Sequence, residues 1–171
     1  LEKDELDLEK SEINMQEIIT DAVTHVSFIV ENKGGYIKTH FFAENSNIFG
    51  SDIHLTNIIV NIIDNGIKYT EGPPEIDIYT ENDSNYIIVK VVDKGIGMSK
   101  GVQKKIFEKF YREQMGNIHN VKGHGLGLSY VKRILDDHDA EINVESEKGN
   151  GSTFIIKLEL ITWNYGNWKQ K

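Results

Sequence analysis

The chain has 171 residues, of which 39% are hydrophobic and 27% charged, and this is enough apolar content for one hydrophobic core. Its formal net charge of −8 disfavours a nucleic-acid interface, because phosphate backbones require a basic surface, and its lack of cysteine excludes disulfides and cysteine-ligated zinc. No apolar run approaches the roughly 18 residues that span a bilayer, so no direct membrane contact by this domain is expected.

Hydrophobic periodicity and turn residues predict the elements of the N-terminal half. In chain order they are a linker over residues 1–12, a helix over 13–32, a strand over 36–43, a turn over 45–50 and a helix from Ser51 or Asp52 to Tyr69. A double glycine ends the first helix, and Gly72-Pro73-Pro74 stops the second.

The same patterns predict the elements of the C-terminal half. It contains strands over 75–80 and 86–93, a short helix over 99–111, a loop over 113–122, a helix over 126–137 and strands over 142–146 and 153–160. The expected fold is therefore α+β: a two-layer α/β sandwich whose mixed, mostly antiparallel sheet of about five strands carries three main helices on one face.

Positive charge is concentrated in one segment. Residues 100–133 contain eight Lys or Arg side chains and two Glu, a local charge of +6, and both arginines of the chain lie there. A solvated helix face accounts for part of this pattern. A compact anion such as a triphosphate accounts for it better.

The helix that ends at Tyr69 has one polar side. At about 100° per residue, five polar side chains fall within an arc of roughly 100°: Asn57, Asn61, Asp64, Asn65 and Lys68. A polar solvent face is the simple explanation, but asparagine is a mediocre helix former and three on one face are unusual for solvation alone. Amide oxygens also ligate Mg²⁺ without adding charge, and Lys68 would lie beside the same phosphates.

Two glycine-rich loops accompany this helix. Asp93-Lys94-Gly95-Ile96-Gly97 follows an apolar strand, and by itself it is a strand-ending turn. In a functional site, Asp93 would accept a hydrogen bond from an exocyclic amino group, and the glycines would let a planar base approach the backbone.

The second loop, residues 123–128, opens a helix whose N–H groups and dipole can hold an anion. It lacks the last glycine and the preceding strand of a dinucleotide-binding fingerprint, and it lacks the Gly-Lys-Ser/Thr ending of a P-loop. His119 and His124 have no carboxylate or cysteine partners nearby, so no zinc site is predicted, and His124 contributes its backbone.

In this order the segments resemble the motifs of the histidine-kinase branch of the Bergerat-fold (GHKL) ATPases. Residues 61–70 resemble the N box, 93–97 the G1 box, 106–112 the F box and 123–128 the G2 box, and residues 149–154 resemble the closing glycine hairpin. The resemblance covers about residues 13–160. It implies a linker end over 1–12, a catalytic ATP-binding domain over 13–161 and a C-terminal tail over 162–171.

The resemblance also implies roles for individual residues. Asn65 would ligate Mg²⁺, Asn61 would support the phosphates during catalysis, and Lys68 would neutralise them. Tyr69 would lie against the base or ribose. Asp93 would accept from the adenine amino group, with Thr153 behind it through water.

The remaining implied contacts lie along the glycine loops and the lid, residues 113–122. Arg112, at the root of the lid, would reach the γ-phosphate as a second catalytic residue, and Phe107 and Phe110 would pack the lid hinge or serve as ordinary core aromatics. The other implied nucleotide contacts are Gly95, Gly97, Met98, Gly123, His124, Gly125, Leu126, Gly127 and Leu128.

Two positions depart from the usual motifs. His124 stands where a small hydroxyl residue is common, and Gly66 stands where alanine is common. Neither departure removes a needed functional group, although Gly66 should destabilise the helix by about 1 kcal/mol relative to alanine.

The function implied by the resemblance is that of the ATP-binding catalytic domain of a two-component sensor histidine kinase. Such a domain binds Mg-ATP and transfers the γ-phosphoryl group to a histidine. None of the six histidines of the chain has the adjacent acid and following proline of an acceptor. The acceptor is therefore expected on a separate dimerisation domain of a homodimeric parent, with a response regulator downstream.

Two alternatives remain open. An ATP-driven clamp of the gyrase or heat-shock chaperone type, or an anti-sigma serine kinase, would use a glutamate one turn before the magnesium asparagine; Asn61 occupies that position and cannot take a proton. A degenerate nucleotide-binding scaffold is the other, and the retained Asn65, Asp93 and lid glycines argue against it. A cytoplasmic domain is expected. Because the chain does not begin with Met, a longer parent anchored in a bacterial inner membrane stays open.

Overall fold

The computed structural model describes residues 8–111 and 126–162. Its elements in chain order are β1 (Ser11–Asn14), α1 (Met15–Asn32), β2 (Tyr36–Phe41), β3 (Asn47–Gly50), α2 (Asp52–Lys68), β4 (Glu75–Asp83), β5 (Tyr86–Asp93), α3 (Lys100–Gln103), α4 (Gly127–Asp137), β6 (Glu141–Ser146) and β7 (Ser152–Glu159). Among the described residues, none of the helices combines the length and the hydropathy that a membrane-spanning helix requires.

Five strands form the main sheet in the order β2-β4-β5-β7-β6. β2 and β4 are parallel, and the other three neighbouring pairs are antiparallel. α1, α2 and α4 supply the helical layer on one face of this sheet, and the predicted α+β fold class is confirmed.

The core lies between the sheet and the helices. Alternate residues of β5 and β7 are buried, so that one face of each strand points to the helical layer. Asp93 and Ser152 are polar, yet they occupy core-facing positions at the ends of these strands and are only 8% exposed each. The sheet thus presents a polar spot at one end of an otherwise apolar face.

The N-terminal prediction was wrong over two short segments. Residues 11–14, predicted as linker and helix start, form β1, and residues 47–50, predicted as a turn, form β3; the two strands pair antiparallel. α1 begins at Met15 because the Asn14 side chain caps it, accepting hydrogen bonds from the N–H groups of Gln16 and Glu17.

The helix predicted over residues 99–111 is also shorter than expected. α3 ends at Gln103, and turns follow up to Tyr111, in which the N–H groups of Lys105, Glu108 and Tyr111 donate to the carbonyl three residues earlier. Phe110 has a φ of 62°, which no helix accommodates.

Candidate functional site

α2 has one buried face and one open face, as the sequence predicts. Its buried residues are Leu55, Ile58, Ile59, Ile62, Ile63, Gly66 and Ile67. The five polar residues of the opposite arc are half-buried or exposed.

The open face of α2 is partly ordered by its own hydrogen bonds. Asn61 Nδ2 donates to the Asn57 carbonyl over 2.8 Å, and Lys68 forms an ion pair with Asp64 one turn earlier. The half-buried Asn65 side chain makes no hydrogen bond to any other described residue, so within residues 8–111 and 126–162 nothing occupies its amide oxygen. A hard cation that keeps most of its ligands from water and phosphate suits such a single amide oxygen.

The start of α4 lies against this face. A Cβ added to Gly127 would lie 2.9 Å from Asn61 Oδ1, so the glycine leaves room for the Asn61 side chain at the start of the helix. Leu126, just before it, is 44% exposed, and Leu128 packs against the core. The described part of the G2 box therefore meets the N box through Gly127 and Asn61.

Asp93 forms the floor of the site. Its Oδ1 accepts a hydrogen bond of 2.8 Å from the Gly95 N–H, and the backbone of Ser152 provides a second hydrogen bond to the carboxyl group. Burial raises the pKa of the Asp93 carboxyl, and the two hydrogen bonds oppose that rise. A Cβ on Gly66 would lie 3.2 Å from the Asp93 Cβ, so Asp93 packs directly on α2 one residue from Asn65.

Close backbone approaches fix the G1 loop, residues 93–98. A Cβ on Gly97 would lie 1.8 Å from the Glu147 carbonyl oxygen, and one on Gly151 would lie 2.0 Å from the Asp93 carbonyl oxygen. Ile96 completes the contact, since its N–H donates to the Tyr69 carbonyl over 3.0 Å and its carbonyl accepts from Gly149 over 2.7 Å. Glycine is required at Gly97 and Gly151 because the backbones would otherwise collide.

The register of β5 and β7 contradicts the expected place of Thr153. Asp93 lies opposite Ser152, and Thr153 lies opposite Val92 on the other face of the sheet. Ser152 is buried beside Asp93, whereas Thr153 is half-buried among outward-facing residues. The residue behind Asp93 is therefore Ser152. The sequence contains a signal for this, because Ser152 is two positions from the apolar Phe154, and side chains two positions apart in a strand lie on the same face.

The structure brings several other predicted residues together. Tyr69 ends α2, and a Cβ on Gly95 would lie 2.7 Å from its carbonyl oxygen. Met98 packs against the core, and its N–H donates to Ser146 Oγ over 2.8 Å. Lys68 is exposed at the end of α2.

Other predicted residues lie outside the described ranges or have surroundings that differ from the prediction. Arg112, Gly123, His124, Gly125 and the lid, residues 113–122, fall outside the described ranges. Phe107 packs against the core, whereas Phe110 is 71% exposed. No cluster of three or more metal-binding His, Asp or Glu side chains occurs within residues 8–111 and 126–162.

The arrangement has a definite chemistry. It combines a buried carboxylate that can accept from an amino group, a half-buried amide oxygen beside it, and a helix start whose N-cap residue, Leu126, provides no side-chain cap. These groups suit a ligand with a polar heterocycle at one end and anionic groups at the other.

Comparison with known proteins gives a consistent picture. A family model described as histidine kinase-, DNA gyrase B-, and HSP90-like ATPase matches residues 50–162. The sensor protein RprX of Bacteroides fragilis is 40% identical over 156 residues, which cover 90% of this chain and 30% of that protein.

Two solved structures have the same fold. Full-length ShkA in complex with AMPPNP matches with a TM-score of 0.75 and 22% identity over 90% of this chain and 31% of that one. The histidine kinase ThkA in complex with the response regulator TrrA matches with a TM-score of 0.74 and 22% identity over 90% of this chain and 42% of that one. The chain thus spans less than half the length of each of these three proteins.

Proposed function

Because the chain belongs to the histidine kinase-, DNA gyrase B- and HSP90-like ATPase family, as an ATP-binding catalytic domain of the sensor-kinase type, we propose that it binds ATP with Mg²⁺ and transfers the γ-phosphoryl group to a histidine. That histidine would belong to a dimerisation domain of the same parent protein. A response regulator would receive the phosphoryl group next, and the AMPPNP and TrrA complexes of the two structural relatives support these partners.

The observation that carries this proposal is the junction of α2 with Asp93. Gly66 packs on Asp93. Asn65, whose side chain bonds to no other described residue, directly precedes Gly66. A nucleotide whose adenine amino group reaches Asp93 would extend its phosphates along the polar face of α2 toward Asn61. Asn65 would then share Mg²⁺ with the phosphates, and the metal would screen their charge.

The identity of Asn61 favours phosphoryl transfer over hydrolysis of ATP. Its Nδ2 is held by the Asn57 carbonyl, and an amide cannot act as a general base for water. Transfer to an imidazole nitrogen needs positioning and charge neutralisation, since the neutral nitrogen is already a nucleophile. We also propose that the domain lies on the cytoplasmic side of its parent, because ATP is supplied there.

The test is Mg-ATP binding by the chain and by Asn65→Ala, measured by calorimetry with Mg²⁺ and with EDTA. The variant should bind at least about tenfold more weakly than the wild type with Mg²⁺ and equally with EDTA, because only the metal contact is lost. Asn57→Ala is the matched control, since Asn57 lies on the same helix face about 12 Å away. An Asn65→Ala variant that keeps the full magnesium effect would leave the degenerate-scaffold alternative standing.

A second measurement separates the proposal from an ATP-driven clamp. The chain should show no steady-state ATP hydrolysis above background, and it should label an added histidine-bearing dimerisation domain from a sensor kinase. Sustained hydrolysis without an acceptor would argue for the clamp.

A further inference from the structure

The far end of the G1 loop is held by side chains and not by the sheet. Both backbone polar groups of Met98 bond to side chains: its N–H donates to Ser146 Oγ over 2.8 Å, and its carbonyl accepts from Gln103 Nε2 over 3.0 Å. The near end of the loop, by contrast, is fixed by β5 and by backbone hydrogen bonds of Ile96.

The three residues form a closed ring of hydrogen bonds. Gln103 Nε2 has two hydrogens, and the second reaches the Ser146 carbonyl over 2.8 Å. Gln103 thereby joins α3 both to the loop and to the end of β6. All the donor capacity of its amide is used in this joint.

The hydrogen-bonding capacity of the Ser146 hydroxyl is also fully used. The hydroxyl accepts from Met98, donates to the Gly151 carbonyl over 2.8 Å, and lies 3.0 Å from Ser152 Oγ. A hydroxyl has one donor and two acceptor sites, so these three partners exhaust it. Ser152 in turn provides the backbone hydrogen bond to Asp93.

We propose that Gln103 is a positioning residue for the nucleotide: through Met98 and Ser146 it fixes the G1 loop and the Asp93 carboxylate for the adenine base. This rests on the proposed function, in which Asp93 receives the adenine amino group. A partly buried hydrogen-bonding ring is sensitive to the donor character of a single amide, because an acceptor placed there would face two carbonyl oxygens.

Gln103→Glu tests the proposal, because it keeps the shape and replaces the donor by a carboxylate. Binding of ADP without Mg²⁺ isolates the base end of the site from Asn65. At pH 8 the variant should bind ADP about tenfold more weakly than the wild type. Near pH 5.5 it should recover part of that loss, because a protonated carboxyl can again donate to one carbonyl. The wild type, measured at both pH values, corrects for the titration of Asp93.

Gln16→Glu is the matched control. Gln16 Nε2 also makes two hydrogen bonds, to the Ala43 carbonyl over 3.0 Å and to Thr80 Oγ1 over 3.3 Å, but it lies on α1 away from the G1 loop. Both variants should unfold at lower temperature, and only Gln103→Glu should lose ADP affinity. Equal losses of ADP affinity in the two variants would overturn the positioning role.

The serine provides a second, milder pair of variants. Ser146→Ala should weaken ADP binding several-fold because the Met98 N–H loses its acceptor, and Ser146→Thr, which keeps the hydroxyl, should restore it. Wild-type affinity in Gln103→Glu or in Ser146→Ala would overturn the inference, provided that the wild type binds ADP and Asp93→Asn binds it poorly. A wild type that binds no ADP would overturn the proposed function as well.

Discussion

At the scale of single residues, Asp93 is an ionisable side chain in a buried position that disfavours its charged form. Its carboxyl group is mostly buried, and burial raises its pKa above the ordinary value of 3.8. The folded state therefore binds a proton more readily than the unfolded state, and this group contributes a stability that is lost as the pH rises through its folded pKa. Such a penalty is typical of a group retained for ligand binding.

Asp93→Asn should accordingly be more stable than the wild type at pH 7 and should bind adenine nucleotides poorly. The amide oxygen can still accept from Gly95, while the desolvated charge is gone. Loss of a charged hydrogen bond to the base should weaken binding by about 1.5–3 kcal/mol, or roughly 10- to 150-fold. Denaturant unfolding at pH 4 and pH 7 checks the first part, where the difference between the two proteins should shrink at pH 4. A variant no more stable than the wild type at pH 7 would contradict it.

The types of residue at the site could be predicted from the sequence, but the face of the sheet on which each side chain lies could not. The resemblance points to a hydroxyl residue after Gly151, and two adjacent ones are present, Ser152 and Thr153. In a strand, neighbouring side chains point to opposite faces, so a shift of one residue changes the assignment completely. The register with β5 resolves the choice in favour of Ser152.

At the scale of elements, α2 and α4 are joined at several points, among them the hydrogen bond between His54 and Tyr130, and two further joints each support a prediction. One is Gly127, whose Cα leaves room for Asn61 Oδ1. Alanine at this position favours the helix by about 1 kcal/mol but would displace the Asn61 side chain. Gly127→Ala should therefore lower phosphoryl transfer at least tenfold while changing the free energy of unfolding by less than about 1 kcal/mol.

Gly101→Ala is a suitable control for that variant. It lies on α3, and its added Cβ would meet only Ser99 Oγ at 3.9 Å. It should leave both transfer and stability near wild type. If Gly127→Ala transfers phosphoryl groups as well as Gly101→Ala does, Asn61 tolerates the contact and the geometric argument fails.

The other joint is His138, at the end of α4. Its Nε2 accepts from the Ser51 N–H over 3.0 Å at the start of α2, where Ser51 provides no side-chain cap, and its Nδ1 donates to the Ile134 carbonyl over 2.7 Å. This pattern requires the neutral ring. Burial lowers the pKa of His138, and the nearby Lys10 and His54 lower it further, against the raising effects of Ile134 and Asp137.

Since the folded pKa of His138 lies below 6.5, its contribution to stability is complete above about pH 6.5 and is lost as the pH falls toward the folded pKa. His138 should therefore contribute a rise in the free energy of unfolding between pH 5 and pH 7, opposite in sign to the contribution of Asp93. In His138→Gln this rise should be smaller, because no titrating group remains at the cap. His25→Gln, on the exposed side of α1, should keep the wild-type slope. Parallel pH profiles for all three proteins would rule out this linkage.

Elements with strong periodicity could be predicted, and those held by tertiary pairing could not. α2 and β5 follow from their apolar patterns. β1 and β3 have only four residues each and exist because they pair with one another, which no local pattern indicates. The segment after Gln103 has a helical composition, yet the left-handed backbone of Phe110 and successive tight turns interrupt it.

At the scale of the whole molecule, the histidines of the described residues are poor phosphoryl acceptors. His40 pairs with Asp77, His54 with Tyr130, and His138 with Ser51. His25 is exposed on α1 and has neither a neighbouring acid nor a following proline. Since none of the six histidines in the sequence has the adjacent acid and following proline of an acceptor, the chain should bind Mg-ATP without forming acid-labile phosphate on itself, as checked with radiolabelled ATP. Label that disappears in His25→Gln would identify an unexpected acceptor.

The overall architecture could be predicted because several motifs occur in the order that one fold requires. Their order and spacing predict Asn61, Asn65 and Asp93 in one site, and the packing of Gly66 on Asp93 brings the first two motifs together. The hydrogen-bonding ring around Met98 joins residues far apart in sequence, and no local signal marks such partners.

The glycine contacts between the G1 loop and the β6–β7 hairpin have a consequence for recombination between related proteins. Gly97 touches Glu147, and Gly151 touches Asp93, so the two segments must match each other to within a fraction of an ångström. A chimera that takes residues 93–98 from one parent and 146–152 from another would combine backbones never selected together. Crossover points that keep both segments from a single parent should give folded hybrids far more often than points between them.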